Sequence, residues 1–274
     1  MAYRELSKSL LGELLPSIKQ HTKSTSNLQQ SPYILGLTGL QGSGKSTLAN
    51  RLVEDFNTQT PYRALQVSLD DFYKTHEERS TLKRGHPENG LLRVRGQPAT
   101  HDVQLAGWFF SQFMEKQKSE FEIPHFDKSL FEGDGDRVPR TQWNVVKAPV
   151  DIIVFEGWCV GFQPLSNDEL KKKWEKEKSI YTLKNATRQA TEESAVEYSI
   201  TTLHRHSLED LLFVNDHLKS YCEQFMGPKH FHGFIHLDTK DLVNVYTWRM
   251  QQEHAMRKVK GTSMTDEGVI RFGE

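Results

Sequence analysis

Nothing else in the chain restricts its fold as tightly as nine residues, GLQGSGKST, Gly39 to Thr47. They follow the apolar run YILGLT that begins at Tyr33, and they precede Leu48, Leu52 and Phe56 at helical spacing. Gly39 and Gly44 bracket four residues ahead of Lys45 and Ser46, with Gly42 loosening the backbone further, so G-x-x-x-x-G-K-[ST] is met at every required position. A buried strand, a Gly-rich turn and a helix start in that order aim successive amides and the positive helix end at one point, which suits phosphate oxygens. Gly39, Leu40, Gln41, Gly42, Ser43, Gly44, Lys45, Ser46 and Thr47 are therefore candidate ATP-binding residues. Lys45 reaches the β and γ phosphates, and the Ser46 hydroxyl completes a Mg²⁺ coordination sphere.

Three more apolar runs, ALQVSL, PVDIIVFEG and FHGFIHLD, are continuous in the way that fully buried parallel strands are. Helical stripes lie between the runs, as in Val103, Ala106, Phe110 and Phe113, and again in LEDLLFVNDHL. The alternation predicts an α/β P-loop NTPase fold, a mostly parallel sheet with helices on both faces. Leu6, Leu10, Leu14 and Ile18 predict an amphipathic helix broken locally at Pro16, with HTKSTSNLQQSP as a linker, so residues 1–32 precede a main domain of 33–274. Between about 163 and 206, DELKKKWEKEK and TRQATEESAVE are highly charged and poor in large apolar groups apart from Trp174. This segment reads as a helical insertion with a solvated face outside the core.

With 274 residues and 36% hydrophobic content the chain can bury one large core. Its 35 basic and 36 acidic residues leave a net charge of -1, which removes any global electrostatic reason to bind nucleic acid or an acidic membrane. Cys159 and Cys222 are far apart and without a C-x-x-C neighbour, so they indicate two reduced thiols rather than a disulfide or zinc site. No apolar run approaches the roughly 18 residues of a membrane span. A soluble cytoplasmic protein, with the nucleus also open, is expected; the oligomeric state is not legible.

A phosphate loop is shared by switches, motors and kinases, so other residues must define the reaction. SLDDFY, Ser68 to Tyr73, places Asp70 and Asp71 at the carboxyl end of the second strand, where parallel sheets bind ligands. A carboxylate there can accept the proton of an attacking hydroxyl, and Asp70 is the candidate base. DIIVFEGW brings Glu156 to the end of the third strand, the place for an acidic partner of Mg²⁺. No N-K-x-D guanine element follows the strands, which disfavours a switch GTPase.

Together with RGQPATHDVQL, IPHFDKSLFEGDGDR, VYTWRMQQEHAM and MTDE, these motifs resemble the small-metabolite kinase superfamily of uridine kinase, phosphoribulokinase and pantothenate kinase, most closely its D-glycerate 3-kinase branch. The resemblance runs from about Ile34 to Gly268. It implies an ATP- and Mg²⁺-dependent kinase whose partner is a small-molecule hydroxyl acceptor, D-glycerate the first candidate. It also implies Asp70 as base, Tyr73 in the acceptor pocket, and Arg249 on a lid helix closing over the transferred group. Phe126 stands where the superfamily has an aromatic phenol, so no hydrogen bond is carried over at that position. Asp127, Lys128 and Arg137 are implied acceptor contacts, and Arg95 suits a carboxylate by a bidentate pair. His101 and Asp102 are candidates by location, with Asp102 equally suited to capping the helix that follows. The branch continues beyond its M-[ST]-D-E element, whereas this sequence stops at Glu274. A second expectation is therefore a nucleotide-binding regulatory module with weakened catalysis.

Overall fold

The computed structural model describes residues 2–25, 31–115, 118–188, 202–239, 241 and 244–260. Its strands are β1 (Tyr33–Gly39), β2 (Ala64–Ser68), β3 (Glu120–Ile123), β4 (Phe126–Asp127), β5 (Asp136–Arg137), β6 (Asn144–Lys147), β7 (Ile152–Glu156) and β8 (Gly233–Leu237). Four of these, β1, β2, β7 and β8, are the expected apolar runs. They form one sheet in the order β2-β7-β1-β8, parallel throughout. The register sets Glu156 beside Leu37 on one side and Ser68 on the other, so neighbouring strands end level and their following loops share one rim. The helices are α1 (Ala2–Thr25), α2 (Lys45–Gln59), α3 (His76–Gly85), α4 (Val103–Ser111), α5 (Asn167–Arg188), α6 (Leu208–Tyr221) and α7 (Asn244–Lys260).

Alternation along β7 divides the core between the two faces of the sheet. Ile152 and Val154 point into a cluster with Leu35, Leu37, Leu48, Leu52 and Phe56, which α1 and α2 cover. Ile153 and Phe155 point the other way, among Phe72, Phe109, Tyr221 and Phe225, under α4 and the end of α6. Both faces of a parallel sheet must be covered, and these two clusters do that. On the second face Gly36 makes room for aromatic rings, because a Cβ there would lie 2.6 Å from Phe234.

One expectation is corrected. Pro16 does not break the first helix, which runs unbroken from Ala2 to Thr25. A proline removes one backbone hydrogen bond, but burial on both sides of it outweighs that loss. Leu11 and Ile18 are buried in the core, and the Ser7 hydroxyl donates to the buried carboxylate of Asp55 on α2 at 2.7 Å. The start of the expected linker, 21–25, is therefore helical, and 26–30 lie outside the described residues.

In the charged segment, α5 exposes most of its length. It is fastened by Leu170, which is buried, and by Trp174, whose indole N–H donates to His206 O at 2.9 Å. Residues 189–201, with most of TRQATEESAVE, lie outside the described residues, as do MTDE and the residues to Glu274. The sequence reading did not foresee two small antiparallel ribbons, β3 with β6 and β4 with β5. No helix among the described residues is long and apolar enough to cross a membrane.

Candidate active site

The rim of the sheet encloses a cavity of about 230 Å³ lined by Gln41, Gly42, Gly44, Lys45, Ser46, Thr47, Ser68, Asp70, Tyr73, Arg95, Lys128, Glu156, Gly157 and Trp158. Its floor is the glycine-rich turn between β1 and α2. Gly42 and Gly44 take φ of 80° and 83°, a left-handed region that a side chain would strain. Gly44 caps α2 without any side-chain hydrogen bond, so the first amides of the helix remain directed at the cavity. The Tyr3 hydroxyl of α1 donates to Ser43 O at 3.1 Å, and a Cβ on Gly44 would stand 1.8 Å from that hydroxyl. Only glycine allows the N-terminal helix to approach the loop so closely.

Lys45 folds back over the loop and donates to Leu40 O at 3.0 Å. Burial lowers its pKa, opposed by the charges of Glu156 and Asp70. The Ser46 hydroxyl donates to Glu156 Oε1 at 3.1 Å. Glu156 is buried at the end of β7, and burial followed by the nearby Asp70 pushes its pKa up. A hydroxyl and a carboxylate side by side are hard oxygen donors, and Mg²⁺ is ordinarily held by one or two such groups together with substrate phosphates. The pair fits that ion, and among the described residues no larger cluster of metal-binding side chains competes with it.

Asp70 sits just past β2, in a short 3-10 turn whose cap is the Ser68 hydroxyl, accepting from Asp70 N at 3.3 Å. The Lys128 ammonium donates to Asp70 Oδ2 at 2.5 Å. Burial raises the pKa of Asp70, but Lys128, with help from His101 and the Tyr73 hydroxyl, outweighs it and holds the carboxyl below its ordinary range. Asp71 faces elsewhere, accepting from Phe126 N at 3.3 Å and His125 Nδ1 at 3.2 Å.

The remaining candidates separate into two groups. Tyr73, Arg95 and Lys128 line the cavity with the loop residues. Arg95 donates from Nη1 to Gly133 O at 2.5 Å and Asp134 O at 3.0 Å, which ties it to the turn between β4 and β5. His101, Asp102, Asp127 and Arg137 lie outside that lining. His101 is buried, stacked on Tyr73 at 4.3 Å, with Nδ1 3.1 Å from the Tyr221 hydroxyl, and burial lowers its pKa to about 3. Asp102 caps α4 by accepting from Leu105 N at 2.9 Å, and it pairs with Arg137 at 3.0 Å. Arg137 also donates to Tyr73 O at 2.8 Å, so it braces the backbone beside the cavity. Asp127 accepts from Ser129 N at 2.8 Å and Ser129 Oγ at 2.6 Å. Arg249 falls on α7, and its side chain is outside what the structure describes.

No family model matches the chain. An uncharacterized kinase of Schizosaccharomyces pombe is 35% identical over 242 residues, 88% of this chain and 77% of its own. The solved structure of a D-glycerate 3-kinase from Cryptococcus neoformans superposes with a TM-score of 0.78 at 32% identity, covering 97% of this chain and 86% of that one. The chain belongs to the glycerate-kinase branch of the P-loop small-metabolite kinases. It is an ATP-dependent kinase. The chloroplastic D-glycerate 3-kinase of Arabidopsis thaliana is 30% identical over 243 residues, and there this chain spans only 45% of the relative's length.

Two side chains that line this kinase's cavity, and a third that lies outside it, are not among the sequence candidates. Trp158 lines it and donates its indole N–H to Gly96 O at 2.9 Å. It stands two residues past Glu156, and the strand-end rule that found Glu156 could have reached it. Ser68, the last residue of β2, falls under the same rule. Arg79, on α3, closes the stretch SLDDFYKTHEER, but nothing in its spacing singles it out. It is 1% exposed, donates to Lys74 O, Asp134 O and Gly135 O, and lies 5.1 Å over the Phe126 ring, locking the β4–β5 turn.

Proposed function

We propose that this kinase transfers the γ-phosphate of ATP to a hydroxyl of D-glycerate. The observation that carries the reading is the setting of Asp70: a carboxylate at the strand-end rim, in one cavity with the phosphate loop, Lys45 and two more cations, Arg95 and Lys128. A small hydroxy acid offers a hydroxyl for the carboxylate and an anionic end for the cations. The glycerate kinases among its relatives support the same acceptor.

In this reading Asp70 takes the proton of the acceptor hydroxyl as its oxygen bonds to the γ-phosphorus and the bond to the ADP oxygen breaks. Lys45 and, from α7, Arg249 stabilise the charge spread over the phosphoryl oxygens. Arg95 and Lys128 orient the acceptor, and Tyr73 packs against it. Ser46 and Glu156 would hold Mg²⁺, which when bound neutralises phosphate charge. Purified protein with ATP, Mg²⁺ and a panel of hydroxy acids, sugars and nucleosides should form ADP in a D-glycerate-dependent way. Asp70→Asn should lower that turnover by about a hundredfold or more while leaving ATP affinity nearly unchanged, whereas Lys45→Ala should lose both. Preference for a sugar or nucleoside sinks the acceptor assignment, and full turnover by the Asp70 variant sinks the base.

A further inference from the structure

A kinase with a preformed base beside its phosphate loop faces a chemical hazard, because water is also a hydroxyl acceptor. In transfer to water, the water oxygen bonds to the γ-phosphorus while the bond from phosphorus to the ADP oxygen breaks and ADP keeps that electron pair. The water proton passes to the base, and inorganic phosphate and ADP leave. Something must make Asp70 a poor base for water.

The structure assigns that task to Lys128: we propose that its ion pair with Asp70 is a lock that an anionic acceptor opens and water does not. The inference rests on the reading of Asp70 as the base. Lys128 Nζ lies 2.5 Å from Asp70 Oδ2, so a proton-accepting oxygen is already occupied by a donor. Both groups line the cavity, and no other lysine or arginine of the described residues forms an ion pair with Asp70. The groups around Asp70 from each packed element are Lys45 of α2, Glu156 and the following Cys159 beyond β7, Tyr73 and Asp71 beside it in the chain, His101 ahead of α4, and Lys128 after β4. Of these, the charges of Lys128 and Lys45 oppose those of Asp70 and Glu156.

Lys128 can also move. Its side chain is 55% exposed against 28% for Asp70, so releasing the ammonium disrupts no packed core. An entering carboxylate competes for the ammonium by charge and frees Asp70 at the moment the acceptor hydroxyl arrives. A water molecule is neutral and offers no such competition. Lys128 is thus a positioning residue that acts through Asp70, and it makes phosphate transfer conditional on the charge of the acceptor.

Two readouts test this in the full chain. In Lys128→Met, the rate of phosphate release from ATP without acceptor should itself rise several-fold, because the freed carboxylate is the stronger base. The acid limb of the pH profile of kcat/KM for D-glycerate should move to higher pH, since a cation that held Asp70 ionised is gone. Lys128→Arg should keep both near the unsubstituted protein. An ATP-induced rise in unfolding temperature in each variant shows that it is folded and binds nucleotide. If Lys128→Met leaves both the acceptor-free rate of phosphate release and the acid limb unmoved, while Asp70→Asn is inactive, the lock is overturned and the base stands. Full turnover by Asp70→Asn overturns the base, and the lock with it.

Discussion

Glu156 is a carboxylate placed where water cannot help it. Its neighbours Ser46 and Lys45 stabilise it less than burial and Asp70 destabilise it, so its pKa in the folded protein lies above the ordinary value. The sign of the consequence follows from proton linkage. A carboxyl with a raised folded pKa favours folding while protonated, and that advantage fades as pH rises through the ordinary carboxylate range toward the folded pKa. At neutral pH the ionised group is therefore a cost to the free protein. Glu156→Gln should raise the unfolding temperature of the nucleotide-free protein at pH 7, with the difference shrinking toward pH 4. The same change should weaken Mg²⁺-dependent nucleotide binding. Thermal unfolding across pH with a parallel nucleotide titration measures both, and a variant less stable at every pH contradicts the account.

At the level of elements, α1 behaves as part of the core. Ile18 is fully buried against the face that also holds Leu35 and Phe56, only two residues beyond Pro16. Ile18→Ala should cost about 2–4 kcal/mol in urea unfolding, as deletion of a well-packed buried side chain does. A value under 1 kcal/mol would mean that the helix is only loosely docked. The leucine spacing marks this helix, but its full length is not legible because proline's local cost is outweighed only by tertiary burial on either side. The four core strands were legible because each is a continuous apolar run bounded by turn residues. The β4–β5 ribbon was not, since two-residue strands carry no periodicity, and its register depends on Arg79 reaching over from another element. Within the site, the phosphate loop, Asp70 and Glu156 could be read from motif and strand end. The pairing of Asp70 with Lys128 spans 58 residues and appears only once the chain is folded.

Taken as a whole, the proposed function divides the site between a donor side built on β1 and α2 and an acceptor side built on the loops around Arg95 and Lys128. Nucleotide bound to the donor side stabilises only the folded chain, so saturating ATP should raise global stability by mass action. At a hundred times its dissociation constant the gain is about 2.7 kcal/mol, read as a shift of the urea midpoint. Lys45→Ala should abolish most of that shift, while a change confined to the acceptor side should not. The Tyr3 hydroxyl resting on Ser43 O adds a practical corollary for handling the protein. Bulk or charge introduced beside Tyr3 is set against a group that touches the phosphate loop, so its effect is felt at that loop rather than far from the cavity.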